Sequence, residues 1–266
     1  MAYSCRTAFI SDVHLGTAEC QTDLLLEFLR QLRCDRLYLV GDIIDLQALH
    51  AGSRWTAAHA GIVEQIFALA EQGMDIVYLP GNHDAALRPY AGLSVRGVRI
   101  ALEAEHACID GRRLRVSHGD EFDPEHIGRS WLTWLGEHAH RALCWAHVGV
   151  NRARRRLRMD YLPLSIIAKT RIGLAMQYIS GFEQRVALHA ADAGFDGQVC
   201  GHIHYGHIRR FGDFTYMNDG DWVEHCTALI EHHDGRFELL PWRRSAEGNE
   251  PSRRSPRRPA VIGQQA

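Results

Sequence analysis

The chain has 266 residues, 46% of them hydrophobic and 23% charged, and a formal net charge of −2 at pH 7. This length is enough for one large α/β domain, and the composition excludes wholesale disorder, collagen and small disulfide-stapled scaffolds. No stretch approaches the roughly 18 uninterrupted apolar residues of a membrane span, and no cleavable signal opens the chain. We therefore expect a cytoplasmic protein whose seven cysteines, never closely paired in sequence, stay reduced.

The first part of the chain alternates apolar strand patterns with helical patterns. Strands are predicted at residues 7–11, 36–40 and 75–79, and helices at residues 22–32 and 56–72. Because strand and helix alternate, this βαβαβ order predicts a mostly parallel central sheet.

The pattern changes after residue 105. A hairpin is predicted at residues 106–109 and 114–117, and residues 122–193 then lack strand signals and indicate a helical insertion. Further strands are predicted at residues 198–200, 208–211, 214–218, 227–232 and 236–240. We assign one domain to residues 1–242 and expect residues 243–266, rich in Arg, Pro and Ser, to be a disordered tail.

Polar side chains follow five predicted strands at the points where those strands end. Since the carboxyl ends of strands in an open α/β sheet meet at one crevice, these side chains are expected to converge. They are Asp12, His14, Asp42, Asn82, His118, His202 and His204, with His83 beside them. Imidazole and carboxylate together suit borderline divalent ions, namely Mn²⁺, Fe²⁺, Zn²⁺ or Ni²⁺. Seven ligands divide naturally between two ions that share one carboxylate, as in two-metal phosphoryl-transfer sites, and Asp42 is well placed to bridge them.

Five ordered segments carry a resemblance to a known family. They are Asp12-x-His14, Gly41-Asp42-x-x-Asp45, Gly81-Asn82-His83-Asp84, His118-Gly119-Asp120 and Gly201-His202-x-His204. Together they resemble the calcineurin-like metallophosphoesterase superfamily over roughly residues 7–242. The resemblance implies an α/β sandwich of two mixed β-sheets flanked by helices, with a helical lid insertion. It also implies a metal-dependent hydrolase of phosphoric ester or pyrophosphate bonds.

The resemblance also implies a role for each matching residue. One metal would be held by Asp12, His14, Asp42 and His204, and the other by Asp42, Asn82, His118 and His202. Both ions are expected to be divalent, with Mn²⁺ preferred. His83 matches the catalytic histidine, which stabilises the transition state or protonates the leaving oxygen. Asp45, Asp84 and Asp120 would orient the imidazoles from a second layer.

Within the superfamily, the chain looks like the UDP-2,3-diacylglucosamine diphosphatase group. The similarity lies in the opening Ser11-Asp12-Val13-His14-Leu15, the helical insertion and the ending Asn218-Asp219-Gly220-Asp221-Trp222. It implies cleavage of a nucleotide-lipid to UMP and lipid X during lipid A biosynthesis. However, that group carries arginine where His83 stands, and histidine is the general superfamily pattern. The alternatives are a cyclic-nucleotide or general phosphodiesterase, a phosphatase and, less favoured, a nuclease.

The predicted lid carries an apolar stripe and a basic run. The stripe at residues 131–145 either packs on a partner helix alone or also accommodates acyl chains. Five arginines at residues 152–158 either form a solvated helix face or contact phosphate groups or an anionic membrane, and Arg154, Arg155 and Arg158 are the substrate-binding candidates. The second interpretation implies peripheral contact with the inner membrane. No nucleic-acid partner is expected, because no aromatic residue is interleaved with the charges of the tail.

Overall fold

A computed structural model describes residues 2–123 and 173–243. The run at residues 152–158 with Arg154, Arg155 and Arg158, the stripe at residues 131–145 and the tail from residue 244 onward lie outside the described residues. Within the described ranges, no helix is long and apolar enough to cross a membrane.

The first half of the chain alternates strands and helices, as predicted. Its elements are β1 Tyr3–Ser4, β2 Thr7–Ile10, α1 Thr22–Gln31, β3 Leu32–Arg33, β4 Arg36–Leu39, α2 Leu46–His50, α3 Ala57–Glu71 and β5 Asp75–Tyr78. The strands β2, β4 and β5 and the helices α1 and α3 match the predicted ranges to within about one residue at either end. Helix α3 begins after Thr56 because the Thr56 side chain accepts a hydrogen bond from the backbone N–H of His59, and the His59 side chain accepts one from the backbone N–H of Thr56.

The second half is richer in strands. Its elements are a 3₁₀ helix Ala85–Tyr90, β6 Ser94–Val95, β7 Val98–Ile100, β8 Ala104–Ala107, β9 Arg113–Val116, a 3₁₀ helix Asp120–Phe122, α4 Gly173–Asp192, β10 Gly197–Cys200, β11 His207–Phe211, β12 Phe214–Asn218, β13 Thr227–Glu231 and β14 Phe237–Pro241. The predicted hairpin is present as β8 and β9, which pair antiparallel. The described end of the predicted insertion is helical, as α4.

Apart from the short parallel pair β1–β3, the described strands form two mixed sheets, as the resemblance implied. The single central sheet that the βαβαβ order predicted is therefore only half of the architecture. The seven-stranded sheet has the order β14-β13-β2-β4-β5-β7-β6, and the five-stranded sheet has the order β11-β12-β10-β9-β8. The strands β2, β4 and β5 are parallel to one another, and so are β9, β10 and β12.

Alternating side chains of the strands divide the core into layers. Phe9 of β2 stacks on Tyr38 of β4 with 4.9 Å between the ring centroids, and both pack with Val116 and Met217 of the second sheet. Their neighbours Ala8 and Ile10 face the opposite way, into a cluster with α1 and α3. Helix α4 covers the outer face of the second sheet through Phe182 and Val186. The result is a helix–sheet–sheet–helix sandwich in which the carboxyl ends of β2, β4 and β5 of one sheet lie near those of β9 and β10 of the other.

Candidate metal centre

The loops after β2, β4 and β10 hold their polar side chains on a left-handed backbone. Asp12, His14, Asp42, His202 and His204 have φ angles between 50° and 67°, and they make up five of the seven non-glycine residues with positive φ in the described chain. Such conformations disfavour L-residues and concentrate at functional sites, where the surrounding structure maintains them. Five of the seven predicted ligands therefore adopt a left-handed backbone conformation that their residue types disfavour and that no helix or strand imposes on them.

Three motif glycines allow these loops to approach one another. A Cβ atom on Gly81 would lie 2.7 Å from Nε2 of His118, and one on Gly201 would lie 2.5 Å from Oδ2 of Asp12. Gly41 combines a φ of 84° with a similarly close approach to the His118 side chain. Glycine is required at these positions because any side chain would displace a predicted ligand.

A first group of donor atoms lies where the loops after β2 and β10 meet. Nε2 of His204 is 3.0 Å from Oδ1 of Asp12 and 3.4 Å from Nε2 of His14. The other ring nitrogen of His14 is 3.0 Å from Oδ2 of Asp45, which fixes the ring. Three of the four ligands that the resemblance implied for one ion thus present their donor atoms to a common point.

A second group lies where the loops after β4, β5, β9 and β10 meet. Oδ1 of Asn82 is 3.2 Å from Nε2 of His118 and 3.1 Å from Nδ1 of His202. Oδ2 of Asp42 is 3.3 Å from the same Nε2 of His118. Nδ1 of His118 lies 2.8 Å from the carbonyl oxygen of Val40, which leaves Nε2 as the inward-facing nitrogen. The four residues implied for the other ion are all present in this group.

The two groups are joined by the buried carboxylates Asp12 and Asp42. Donor atoms of Asp12, Asp42 and His118 lie within 4.8 Å of one another. One oxygen of each carboxylate is held by a backbone amide, since Asp12 Oδ2 accepts from His202 and Asp42 Oδ1 accepts from His83. The other oxygen of each faces the imidazoles, and Oδ1 of Asp12 is buried without a hydrogen bond. A divalent cation would satisfy that oxygen, so the donor set fits the metals that the family resemblance implies.

The electrostatics of the site favour bound positive charge. Burial would lower the pKa of His14, but its hydrogen bond with Asp45 and the charges of Asp42 and Asp12 raise it to about 9. The pKa of His118 is likewise raised against burial, chiefly by Asp42. Burial would raise the pKa of Asp42, but the charges of His118 and His14 hold it well below its usual range. The carboxylates thus stabilise any cation placed among these rings, whether a proton or a metal ion.

His83 lies at the rim of the metal centre. Its side chain is 32% exposed, and its Nδ1 lies 3.1 Å from Oδ2 of Asp45. Its ring packs edge-to-face on His14 with 4.7 Å between the centroids. His83 also lines a cavity of about 580 Å³. The other lining residues come from α2 and the residue after it, from the β5 loop and from the start of the 3₁₀ helix after β5: Leu46, Gln47, His50, Ala51, Asn82, Ala85 and Ala86. His83 is thus placed to face a substrate while Asp45 holds the ring from behind.

Of the three second-layer carboxylates predicted, only Asp45 contacts imidazoles. Asp84 instead accepts hydrogen bonds from the backbone amides of Gly81, Asp42, Ile43 and Ile44 and from the hydroxyl of Tyr78, and so ties the β4 loop to the β5 loop. Asp120 forms a two-pronged ion pair with Arg88, at 2.7 and 2.8 Å. In the described residues, Asp84 thus contacts backbone amides and Asp120 contacts an arginine, instead of the imidazoles that were predicted. Their side chains are short, and these partners lie closer to them than the imidazoles do.

Two further carboxylates at the site were not predicted. Oδ2 of Asp123 is 3.0 Å from Nε2 of His202, which leaves Nδ1 of His202 directed at Asn82. The Ser11 hydroxyl lies 2.5 Å from Asp12 and 2.6 Å from Asp219, and burial raises the pKa of Asp219 well above its usual range. Asp219 belongs to the segment Asn218-Asp219-Gly220-Asp221-Trp222, which carries the resemblance to the diphosphatase group. The sequence therefore contained a signal that this carboxylate belongs to the site. Asp123 comes three positions after the motif His118-Gly119-Asp120 and belongs to no sequence motif that would have identified it.

Comparison with known proteins is consistent with this geometry. The Calcineurin-like phosphoesterase family model matches residues 5–206. The chain is similar to a UDP-2,3-diacylglucosamine hydrolase of Xanthomonas campestris pv. campestris, with 34% identity over 255 residues that cover 86% of this chain and 96% of the relative. A protein of the same description from Aeromonas salmonicida is 27% identical over 241 residues, covering 84% of this chain and 89% of the relative. A solved phosphoesterase structure from E. coli aligns with 89% of this chain and 99% of its own, at 15% identity and a TM-score of 0.43.

Proposed function

The chain belongs to the calcineurin-like phosphoesterase family and is a phosphoester-hydrolysing enzyme, and we propose that it cleaves a nucleotide-lipid such as UDP-2,3-diacylglucosamine with two divalent ions, preferably Mn²⁺. The observation that carries the proposal is the pair of donor groups joined by Asp12 and Asp42. Asp12, His14, Asp42 and His204 would hold one ion, and Asp42, Asn82, His118 and His202 the other. Bound there, the ions would supply Lewis-acid charge for the phosphoryl oxygens and an activated water.

The protein's own groups have distinct tasks in this proposal. Asp45 and Asp123 hold the rings of His14 and His202 so that one nitrogen of each stays directed inward. His83 lies beside the cavity, where its ring would donate a proton or a hydrogen bond to the leaving oxygen as negative charge develops. The backbone amide of His83, which donates to Asp42, couples its position to the shared carboxylate at 2.7 Å.

Two features support the nucleotide-lipid substrate. Relatives described as UDP-2,3-diacylglucosamine hydrolases match the chain over nearly their whole length. Four of the eight residues that line the cavity beside His83 are aliphatic, namely Leu46, Ala51, Ala85 and Ala86, which suits an apolar group next to the phosphoryl centre. Cleavage would release UMP and lipid X, a step of lipid A biosynthesis, and the enzyme would work in the cytoplasm at the surface of the inner membrane.

One residue favours a second candidate function. Histidine at position 83, in place of the arginine of the lipid A diphosphatases, is the general superfamily pattern and also suits a small phosphodiester or a cyclic nucleotide. Both candidates share the metal centre and differ in the substrate alone.

A hydrolysis panel with Mn²⁺ separates the candidates. It comprises UDP-2,3-diacylglucosamine, cyclic nucleotides, bis-p-nitrophenyl phosphate and p-nitrophenyl phosphate, with Asp42→Asn as the inactive control on each. The proposal predicts the highest kcat/KM on UDP-2,3-diacylglucosamine, with UMP as a product. Activity confined to the small diesters or cyclic nucleotides would support the second candidate. Failure on the whole panel would overturn both.

The basic run offers a sharper test of the lipid. Replacing Arg154, Arg155 and Arg158 by alanine should raise KM for UDP-2,3-diacylglucosamine and weaken binding to anionic vesicles. Hydrolysis of bis-p-nitrophenyl phosphate should stay nearly unchanged, since the proposed ligands lie on the strand ends. Equal losses of activity on both substrates would contradict a role of this arginine run in binding the lipid substrate.

A further inference from the structure

Three sulfur atoms meet at the end of the seven-stranded sheet opposite the metal centre. Cys5, Cys34 and Met74 directly precede β2, β4 and β5 or lie within two residues of them, whereas Asp12, Asp42 and Asn82 follow the same strands. Sγ of Cys34 lies 3.7 Å from Sδ of Met74 and 3.2 Å from the carbonyl oxygen of Arg36, and interaction with the neighbouring Cys5 thiol raises the pKa of the Cys34 thiol. All three side chains line one cavity of about 370 Å³.

The backbone explains why the sulfur atoms converge. The parallel pairing of β1 with β3 continues as the amide of Cys5 donates to the carbonyl of Arg33 at 3.0 Å, which places Cys5 beside Cys34. Met74 arrives from the turn after α3, where its amide donates to the carbonyl of Leu69. The grouping is therefore fixed by main-chain hydrogen bonds from three separate segments.

The chemistry of the cavity suits a soft cation. Among the described residues that line the cavity, the one arginine is Arg33, and its guanidinium donates to the backbone carbonyls of Arg30 and Leu32 at 2.9 and 2.7 Å rather than facing the sulfur atoms. Asp35 and His233 lie at the same cavity. Thiolate and thioether donors together select Cu⁺ over harder ions such as Mn²⁺ or Mg²⁺.

We propose that Cys5, Cys34 and Met74 form a binding site for a soft monovalent cation, Cu⁺, separate from the phosphoesterase centre. Binding forms two copper–thiolate bonds and one copper–thioether bond. It releases one proton from each thiol, and no electron is transferred. The hydrogen-bonding interaction with the Cys5 thiol and burial raise the pKa of the Cys34 thiol. Protons therefore compete with Cu⁺ for the Cys34 sulfur, and the affinity for Cu⁺ should rise with pH.

The site is remote from catalysis. Cys5 precedes Asp12 by seven positions along a stretch that contains strand β2, which corresponds to roughly 20 Å. Substitutions at the sulfur atoms should therefore leave phosphodiester hydrolysis unchanged, and the proposal stands independently of the function proposed above.

The test is Cu⁺ retention by the full-length, Mn²⁺-loaded protein under anaerobic reducing conditions, against the chromophoric chelator bicinchoninate. We expect one Cu⁺ retained per chain with release of two protons, and an ultraviolet thiolate-to-copper absorption band. Cys34→Ser should abolish retention, and the volume-conserving Met74→Leu should weaken it about tenfold or more. Cys20→Ser, which alters a buried thiol elsewhere, should retain Cu⁺ like the unmodified chain.

Activity on bis-p-nitrophenyl phosphate serves as the folding control and should be equal in all four proteins. Absence of retained Cu⁺ in the unmodified chain, or equal retention in Cys34→Ser, would overturn the proposal. A Cys5–Cys34 disulfide formed by oxidised glutathione in a protein that retains no Cu⁺ would also overturn it, and would mark the pair as a redox site.

Discussion

Two of the buried clusters of histidine and carboxylate in the described residues differ in how their carboxylate oxygens are paired. At the strand ends, Asp12 and Asp42 direct one oxygen each at imidazoles, on a left-handed backbone. Between the two sheets, Glu231 of β13 accepts from His106 of β8 at 2.9 Å, and also from Arg6, Thr7 and the amide of Ile109. Residue composition alone does not distinguish the two clusters.

Backbone strain and the pairing of the carboxylate oxygens do distinguish them. Both oxygens of Glu231 are paired within the protein, whereas Nδ1 of its partner His106 has no hydrogen bond. None of the residues around Glu231 has a positive φ, and the His106 ring packs edge-on against Phe9 and Tyr38. The Glu231 cluster therefore fastens the two sheets together. In the strand-end cluster, Oδ1 of Asp12 makes no well-formed hydrogen bond and has only the 3.0 Å contact with Nε2 of His204, as expected of an oxygen in a cation site.

A matched pair of substitutions separates the two clusters most strongly. Asp42→Asn removes the charge of the carboxylate that we propose both ions share, so kcat on bis-p-nitrophenyl phosphate with Mn²⁺ should fall by about 10³-fold or more. Asn82→Ala should cost less, because it affects one group alone. Glu231→Gln, the same chemical change in the other cluster, should leave kcat of the folded protein unchanged. Equal losses of kcat in Asp42→Asn and Glu231→Gln would show that the two clusters do not differ in their contribution to catalysis.

His83 should show a large effect on catalysis without an effect on metal content. His83→Ala removes one group placed at the leaving oxygen, so kcat should fall by about 10²–10³-fold. Metal analysis of the purified variant should match that of the unmodified chain. A smaller loss on substrates with good leaving groups would identify proton donation as its role, whereas loss of metal would make His83 a ligand.

Glu231→Gln should instead act on stability. The charge-assisted hydrogen bonds from Arg6 and His106 are lost, and we expect the free energy of unfolding to fall by about 2 kcal/mol. Urea denaturation in the presence and absence of Mn²⁺ measures this. An unchanged denaturation midpoint would show that the cluster does not join the sheets.

Asp123 should have a smaller effect, because it acts through His202. Asp123→Asn leaves every predicted ligand in place but weakens the hold on Nε2 of His202, so Mn²⁺ affinity at one site should fall about tenfold. Calorimetric titration should then show one weakened and one unchanged site. Two equally weakened sites would mean that Asp123 supports the fold rather than this ring.

Glu231 should also affect the pH dependence of stability. Burial would raise the pKa of Glu231, but His106 and Arg6 lower it to about 2, against 4.5 for an ordinary glutamate. The unfolded chain therefore binds this proton first as the pH falls. The contribution of Glu231 to stability is complete above about pH 4.5 and is lost as the pH falls towards 2. Stability curves of the metal-free protein should fall less steeply over that range in Glu231→Gln, and parallel curves would contradict the assignment.

The sequence was most informative where an apolar run or a motif decides the structure. Strands β2, β4 and β5 were predictable because each is a short buried run that ends in a polar motif. The pairs β1–β3 and β6–β7 were not, because two- and three-residue strands depend on neighbours that tertiary packing supplies. Helix α2 has only five residues and therefore too little periodicity to detect.

The site shows the same division. Ligand types follow from the motifs, whereas hydrogen-bond partners follow from loop geometry. Asp84 and Asp45 look equivalent in sequence, yet the first reaches backbone amides and the second reaches two imidazoles. Asp123 could not be selected, because nothing in the chain around it indicates that its carboxylate meets His202.

The measurement that tests the central claim most directly is metal stoichiometry. Mn²⁺-loaded protein, freed of unbound ion, should contain two Mn²⁺ per chain at full activity, and Asp42→Asn should lose affinity for both ions together. The matched Glu231→Gln protein should retain two. A fully active preparation with one Mn²⁺ per chain, or an Asp42→Asn protein that keeps both ions at undiminished affinity, would contradict a centre built around a shared carboxylate.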